Sequence, residues 1–315
     1  MESLVSFISA LIMIIMLLLS VAFFTLMERK ILGYMQIRKG PNKVGISGIL
    51  QPFSDAIKLF TKELIIPINS NYLIYYFCPV VNLLISLFIW MVMPYFEIMY
   101  MHMFSFLFLV SLMSLGVYLL MISGWSSNSN YSLLGMMRSI SQTISYEVSM
   151  LLLLLSSVML VMDLNMFKYN LYQNYVWFLF IMFPLSMCVF SSLLAETNRT
   201  PYDFAEGESE LVSGFNIEYA GGGFALIFLS EYMMIMFMSL LFSIIFLGAN
   251  YGSVFLFIKL VVLSYTFVWV RAVLPRYRYD KLMYLTWKVY LPFSLFSLMF
   301  FLGFKLFLWN FFSKN

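Results

Sequence analysis

Eight stretches of this chain run for about twenty residues with almost no charge: 4–26, 72–93, 104–125, 142–161, 171–194, 224–247, 254–270 and 289–309. Each is long enough as a helix to cross the roughly 30 Å hydrocarbon layer of a bilayer. Their Leu, Met, Phe and Ile runs are continuous, whereas a membrane β-strand alternates over about ten residues. The pattern predicts an all-α integral membrane protein of eight transmembrane helices, one polytopic domain over 1–315. The pattern changes after the first run. RKGPNKVG, from Arg38 to Gly45, is turn-forming, and Leu50, Phe53, Ile57, Phe60 and Leu64 then recur at three- and four-residue spacing. Gln51, Ser54, Asp55, Lys58 and Lys62 fall opposite them. This predicts an amphipathic helix over 49–64 lying on the bilayer surface, too short and too charged to span. It either anchors a loop or frames an opening for a lipid-soluble molecule, and spacing leaves both readings open.

Composition supports the membrane assignment: 63% of residues are hydrophobic, 19% aromatic and 10% charged, with mean hydropathy +0.92. A soluble domain cannot bury that much apolar surface. The first run has no basic stretch before it and no small-residue cleavage site after it, and Glu28-Arg29-Lys30 closes it, so it reads as an anchor and not as a removable leader.

Charge distribution sets the topology. The connection after the first span carries Arg29, Lys30, Arg38, Lys39, Lys43, Lys58 and Lys62. The one after the seventh carries Arg271, Arg276, Arg278, Lys281 and Lys288, and Arg138 and Arg199 occupy the other loops of that side. The opposite side has little beyond Lys168 and Lys314. Cation-rich short loops stay on the side of synthesis, so both termini are placed on the cation-poor side.

Against that sparse charge, the segment AETNRTPYDFAEGESELVSGFNIEY, residues 195–219, holds Glu196, Asp203, Glu206, Glu208, Glu210 and Glu218 with a single cation, Arg199. Carboxylates held close in poor solvent raise each other's pKa and titrate as a unit. Glu206 and Glu210 share a face if the segment is helical. Pro201, Gly207, Gly214 and the Gly221–Gly223 run predict a backbone that bends repeatedly, as in the wall of a cavity or a gate. The plainer alternative is a solvated acidic loop neutralised by the basic connections beside it.

Three ionisable residues fall inside the spans: Glu147 beside Tyr146, Glu231 beside Tyr232, and Lys259. A lysine stem reaches the interface, so Lys259 reads as a snorkelling residue. A carboxylate is too short for that, and intramembrane acids line polar cavities or proton relays. Glu147 and Glu231 are therefore expected to continue the acidic loop into the membrane.

Other chemistries are closed off. Cys78 and Cys188 are too few for a metal cluster, His102 stands alone before the third span and reads as a packed or interfacial side chain, and no glycine-rich dinucleotide fingerprint follows a strand. No metal site or nucleic-acid partner is expected. Any electron carriers belong to other chains.

Five strings in order carry a family resemblance: LMERKILGYMQIRKGPNKVG from Leu26, QPFSDAIKLFTKE from Gln51, SQTISYEVS from Ser141, the acidic segment from Ala195, and RAVLPRYRYDKLMYLTWK from Arg271. Over essentially its whole length the chain resembles the subunit 1 family of respiratory complex I, the proton-pumping NADH:ubiquinone oxidoreductase, in its mitochondrially encoded form. Tyr202 and Tyr277 stand where many members are expected to carry Phe, a change that keeps the ring.

The resemblance implies an eight-helix subunit of the mitochondrial inner membrane, with its cation-rich loops and acidic loop on the matrix side and both termini on the intermembrane-space side. It implies ubiquinone as substrate, no cofactor bound by this chain alone, and NADH, FMN and iron-sulfur clusters in partner subunits. The implied partners are the hydrophilic subunits of the quinone site, small neighbouring membrane subunits and lipids. By the same resemblance Glu28, Arg29, Asp55 and Lys58 lie near the quinone passage and its mouth, and Arg199, Asp203, Glu206, Glu208 and Arg278 line the chamber. Tyr146, Glu147, Glu196, Glu210, Glu218 and Glu231 would continue the proton route. Three rivals make different predictions. A cation/proton exchanger acting alone predicts transport by the isolated chain. A hydrogenase membrane subunit predicts different partners, and a lipid-modifying enzyme lacks a nucleophile and base here.

Overall fold

The structure, a computed structural model, describes residues 2–93, 103–207, 213–248 and 250–312. His102, Glu208 and Glu210 lie outside the described residues. Every regular element among those described is helical. The membrane-length helices are α1 (Glu2–Met35), α3 (Tyr72–Trp90), α4 (Ser105–Ser126), α5 (Asn130–Val161), α9 (Gly221–Phe246), α10 (Val254–Val273) and the run Tyr279–Asn310. That last run is α11 (Tyr279–Leu285) and α12 (Leu291–Phe312) joined by a π-helical stretch, Thr286–Tyr290. The surface helix predicted over 49–64 is α2 (Gln51–Thr61), started by Pro52 in its first turn.

Four expected spans differ from their sequence readings, the eighth by starting ten residues early, at Tyr279. The first does not stop at Glu28-Arg29-Lys30; the helix runs on to Met35 and carries all three residues on its loop-side end. The fourth begins twelve residues earlier than its apolar run, at Asn130, and at 32 residues is about 48 Å long, so its first turns project beyond the hydrocarbon. The fifth is broken. Residues 171–194 fold as the end of α6 (Lys168–Tyr172), α7 (Phe178–Ile181) and most of α8 (Phe183–Glu196). Pro184 sits in the first turn of α8 and Met182 leaves helical geometry, φ −118° and ψ 39°. Pro184 has no N–H to bond the Phe180 carbonyl, so the helix cannot continue from α7, and proline is tolerated in the first turn of the new one. At 14 residues, about 21 Å, α8 is shorter than the hydrocarbon layer. Leu185, Val189 and Leu193 are nevertheless 2% exposed or less. That buried face packs α8 into the bundle, while Phe180, Ile181 and Phe183 around the break are more than half exposed.

The centre of the bundle is α5 and α9. Within their apolar windows 56% and 61% of residues are buried, against 22% for α1 and 17% for the last helix. Lipid supplies no hydrophobic drive between helices, so close packing does the work. Serines make it possible: Ser149, Ser156, Ser239 and Ser243 are fully buried. Each hydroxyl bonds back to its own helix, as Ser239 to the Met236 carbonyl at 2.7 Å, leaving a small surface with no unmet polar group.

Lys259 does not snorkel outward. Its Nζ donates to the Leu247 and Gly248 carbonyls at 2.7 and 2.6 Å and lies over the Trp177 ring. Lys305 likewise donates to the Leu160 carbonyl at 2.9 Å. These two lysines satisfy the C-terminal carbonyls of α9 and α5.

Candidate functional site

Two glycines shape the loop end. Gly221, at φ +58°, opens α9 against the end of α2, and a Cβ there would lie 3.4 Å from the Glu63 and Lys62 carbonyls. Gly214, at φ +57°, leaves no room at all, since a Cβ would sit 1.7 Å from the Ala205 carbonyl oxygen. Gly207 also has positive φ, so the described part of the acidic segment turns repeatedly, as expected.

The close approach of α2 to α9 encloses a cavity of about 460 Å³ together with α1. Its side is apolar, with Val21, Ala22, Leu59, Phe224 and Phe228; its polar end holds Glu28, Arg29, Asp55, Tyr232 and Arg271. Glu28 is the centre of that end and is 5% exposed. Its Oε1 accepts from Arg271 and, at 3.5 Å, from Arg199; its Oε2 accepts from the Tyr232 hydroxyl at 2.6 Å. Four separate parts of the chain therefore meet on one carboxylate. Arg199 is 9% exposed and stands over the Tyr232 ring, 4.7 Å from its centroid. Burial works against its charge, but Glu28, Tyr232 and Glu231 outweigh burial and hold the guanidinium protonated above its ordinary value. Towards the mouth, Arg29 pairs with Asp55 at 2.5 Å, and Gln51 donates to the other Asp55 oxygen. Deeper in the loop, Asp203 pairs with Arg276 at 3.1 Å and accepts from the Glu206 amide.

Across α9 from this cavity lies a second, of about 60 Å³, lined by Asn82, Ser86, Thr143, Glu196, Ser230 and Glu231. Consecutive residues 231 and 232 thus face different cavities. Glu147 lies within electrostatic range of Glu196, and Glu231 within range of Glu206 and Asp203. Of the buried polar atoms without a protein partner, Glu196 Oε2 and Asn198 Oδ1 belong to residues lining this space, and Gln142 Oε1, Tyr146 Oη and Arg199 Nη2 to residues outside its lining. Tyr146 is fully buried, its ring 5.7 Å from Tyr202 and 6.0 Å from Tyr290. Tyr202 stacks on Tyr277 at 5.6 Å, so the two positions expected to carry Phe face each other.

Not every residue named from sequence joins these cavities. Lys58 is exposed on α2, and Arg278 pairs with Asp280 on the surface of the chain, its side chain 79% exposed. Glu218 is half-buried near α3, where its carbonyl accepts from Tyr75. Sequence reading gave no role to Arg271, Arg276, Tyr232 or Asn82. The signal for Arg271 was present, because it closes an apolar run on the same side of the membrane as Glu28. Nothing in spacing alone points to Tyr232 or Asn82.

The NADH dehydrogenase family profile matches residues 8–302. The chain is 58% identical to NADH-ubiquinone oxidoreductase chain 1 of Aedes aegypti over 308 residues, 98% of each chain. It is 62% identical to that of Locusta migratoria over 293 residues, 93% of each, and 48% identical to that of Branchiostoma lanceolatum over 282 residues, 90% of each. Matches of this length and identity leave one assignment: the chain belongs to the NADH dehydrogenase family.

Proposed function

We propose that this chain, a core membrane subunit of NADH:ubiquinone oxidoreductase in the mitochondrial inner membrane, carries the passage for ubiquinone and the first acids of a proton route. The observation that carries this reading is the cavity between α1, α2 and α9: apolar along its side, closed at its inner end by Glu28 with Arg199, Arg271 and Tyr232. An apolar channel with a few fixed polar groups at one end suits a molecule with a long hydrocarbon tail and a polar head. The amphipathic helix α2 frames the mouth, so of the two readings open from sequence the framing one is favoured.

Electrons arrive from iron-sulfur clusters in partner subunits, which also hold NADH and FMN, and quinone reduction draws protons and creates transient negative charge near the loop. Arg199 is the part of the loop that meets this charge, because it bridges Glu28 on one side of α9 and lies within range of Glu231 on the other. Weakening its hold on Glu28 redistributes the field over Glu231, Glu206 and Asp203. Coupling of this kind requires different contacts in the two states. The buried atoms without protein partners around Glu196 and Tyr146 call for internal water, and a 60 Å³ space exceeds the about 15 Å³ that one buried water needs. Glu147, Glu196 and Glu231 then hand protons on through that water. Hydrophilic quinone-site subunits and small membrane subunits surround the loop end, which faces the matrix.

Photolabelling of the assembled complex with a head-labelled quinone analogue tests the passage. Labelled peptides are expected from 21–32 and 224–232, and labelling confined to other subunits would remove the passage from this chain.

A further inference from the structure

Helix α9 serves two cavities with two faces. Ser230, Glu231 and Met234 turn to the small space that also holds Glu196, while Ala225, Phe228 and Tyr232 turn to the one that ends at Glu28. At about 100° per residue the two sets lie roughly opposite one another, so a rotation of α9 about its axis displaces both together. Further along the helix, Ser239 and Ser243 keep their hydroxyls within α9 and bond no neighbour. Ser230 differs. It is 1% exposed, and its hydroxyl both donates to the Ile227 carbonyl at 2.6 Å and accepts from the Asn82 amide of α3 at 2.8 Å.

Asn82 begins a stripe along one face of α3. Asn82, Ser86 and Trp90 stand four residues apart, and each reaches α9. Ser86 Oγ meets Met233 Sδ at 3.7 Å, and Trp90 Nε1 donates to the Met233 carbonyl at 3.3 Å. The first two rungs join residues 148 and 147 positions apart, so the helices run side by side in one register. Asn82 and Ser86 line the small cavity, and Trp90 stands outside its lining. The Asn82 rung joins an amide to a hydroxyl one residue before Glu231. An amide inside a membrane is costly without a partner, and a cross-helix bond of this kind fixes how two helices meet. Asparagine carries two N–H donors and one acceptor, and the bond to Ser230 uses one donor.

We infer that Asn82 is a positioning residue for Glu231: its bond to Ser230 sets the angle of α9 at the acid, turning Glu231 to the small cavity and Tyr232 to Glu28. The inference rests on the proton route proposed above, in which Glu231 carries a proton. It gives α3 a part in that route.

The test uses the assembled enzyme in proteoliposomes, with NADH-driven proton translocation as one reading. The second is the infrared difference spectrum of quinone reduction, in which the Glu231 carboxyl band is the one that Glu231→Gln removes. Asn82→Leu keeps the size of the side chain and removes the amide, and Ser230→Ala removes the acceptor. Each is expected to slow proton translocation about threefold, the average worth of one cross-helix hydrogen bond in a membrane, and to shift the Glu231 band. The double variant should fall no further than either single one. Trp90→Phe breaks a rung of the same stripe away from the acid and should leave the band in place. An unchanged rate and band in both single variants overturns the inference, and so does an equal band shift in Trp90→Phe, which would reduce Asn82 to packing. If Asn82→Leu fails to assemble, Ser230→Ala, smaller by one oxygen, decides by the same two readings. Normal translocation in Glu231→Gln would instead remove the proton reading itself, and the inference with it.

Discussion

The Tyr232 hydroxyl donates to Glu28 Oε2 at 2.6 Å across 204 positions of sequence, joining the loop-side part of α1 to the middle of α9. The same ring supports Arg199, which also bonds Glu28. Three residues from three elements form a closed set, and its chemistry governs the first expectations.

Replacing Glu28 by Gln leaves Arg199 and Arg271 buried or half-buried without their shared anion. Removing one member of a buried pair costs about 3–5 kcal/mol. The assembled complex should lose thermal stability, and quinone reduction should fall by more than tenfold. Normal activity with an unchanged melting transition would exclude Glu28 from the site.

Tyr232→Phe is gentler, because the ring stays under Arg199 and only the hydroxyl goes. A hydrogen bond to a charged group is worth about 1.5–3 kcal/mol, so an activity loss of about ten- to a hundredfold is expected. In a double-mutant cycle with Glu28→Gln the two effects should fail to add. Additivity would mean that the contact carries no function.

Gly214→Ala puts a methyl group onto the Ala205 carbonyl oxygen, in a backbone conformation that side chains disfavour. Overpacking of this kind costs about 1–3 kcal/mol or more. The acidic segment should lose its fold before the bundle does, seen as faster proteolysis within 203–216 in complexes that still hold helices α1–α5.

Lys259→Met strips two helix-end carbonyls of their donor and the Trp177 ring of its cation. The expected loss is about 1–3 kcal/mol of stability. The KM for quinone should not move, since Lys259 lines neither cavity of the proposed passage or proton route.

Burial, reinforced by Tyr290 and Tyr277, raises the Tyr202 phenol above its usual value. A group whose folded pKa is raised contributes stability in full below the unfolded value, about 10, and loses it as pH climbs beyond. Tyr202→Phe should leave activity between pH 6 and 9 unaltered and flatten the fall in stability above about pH 10. A shifted profile near neutrality would assign this phenol a proton-carrying role.

Much of the site was readable because membranes punish charge. In a chain this apolar, Glu147, Glu231 and the acidic segment stand out one by one, and the energetic cost of placing them there implies a use, whereas Glu28 is named only through the family resemblance. Their partners were not readable in the same way. Arg271 and Arg276 looked like ordinary cations of a loop, and Lys259 looked like a snorkelling side chain until its bonds to Leu247 and Gly248 were seen. Lys58 and Arg278, named from the resemblance, lie on the surface of this chain and line neither cavity. Residue type tells which groups are costly to bury, but only geometry tells which of them meet.

Sequence by itself determined the class of protein, the number and order of its apolar runs, the surface helix and the end at which charge gathers, because each follows from local hydropathy and spacing. Tertiary structure alone decided that the fifth run breaks at Met182 and Pro184, and that Glu28, Arg199, Tyr232 and Arg271 share one point. It also decided that residues 231 and 232 open onto different cavities. Those outcomes depend on how helices cross and on which faces meet, and side-chain contacts across 171 to 243 positions leave no periodic trace in the chain.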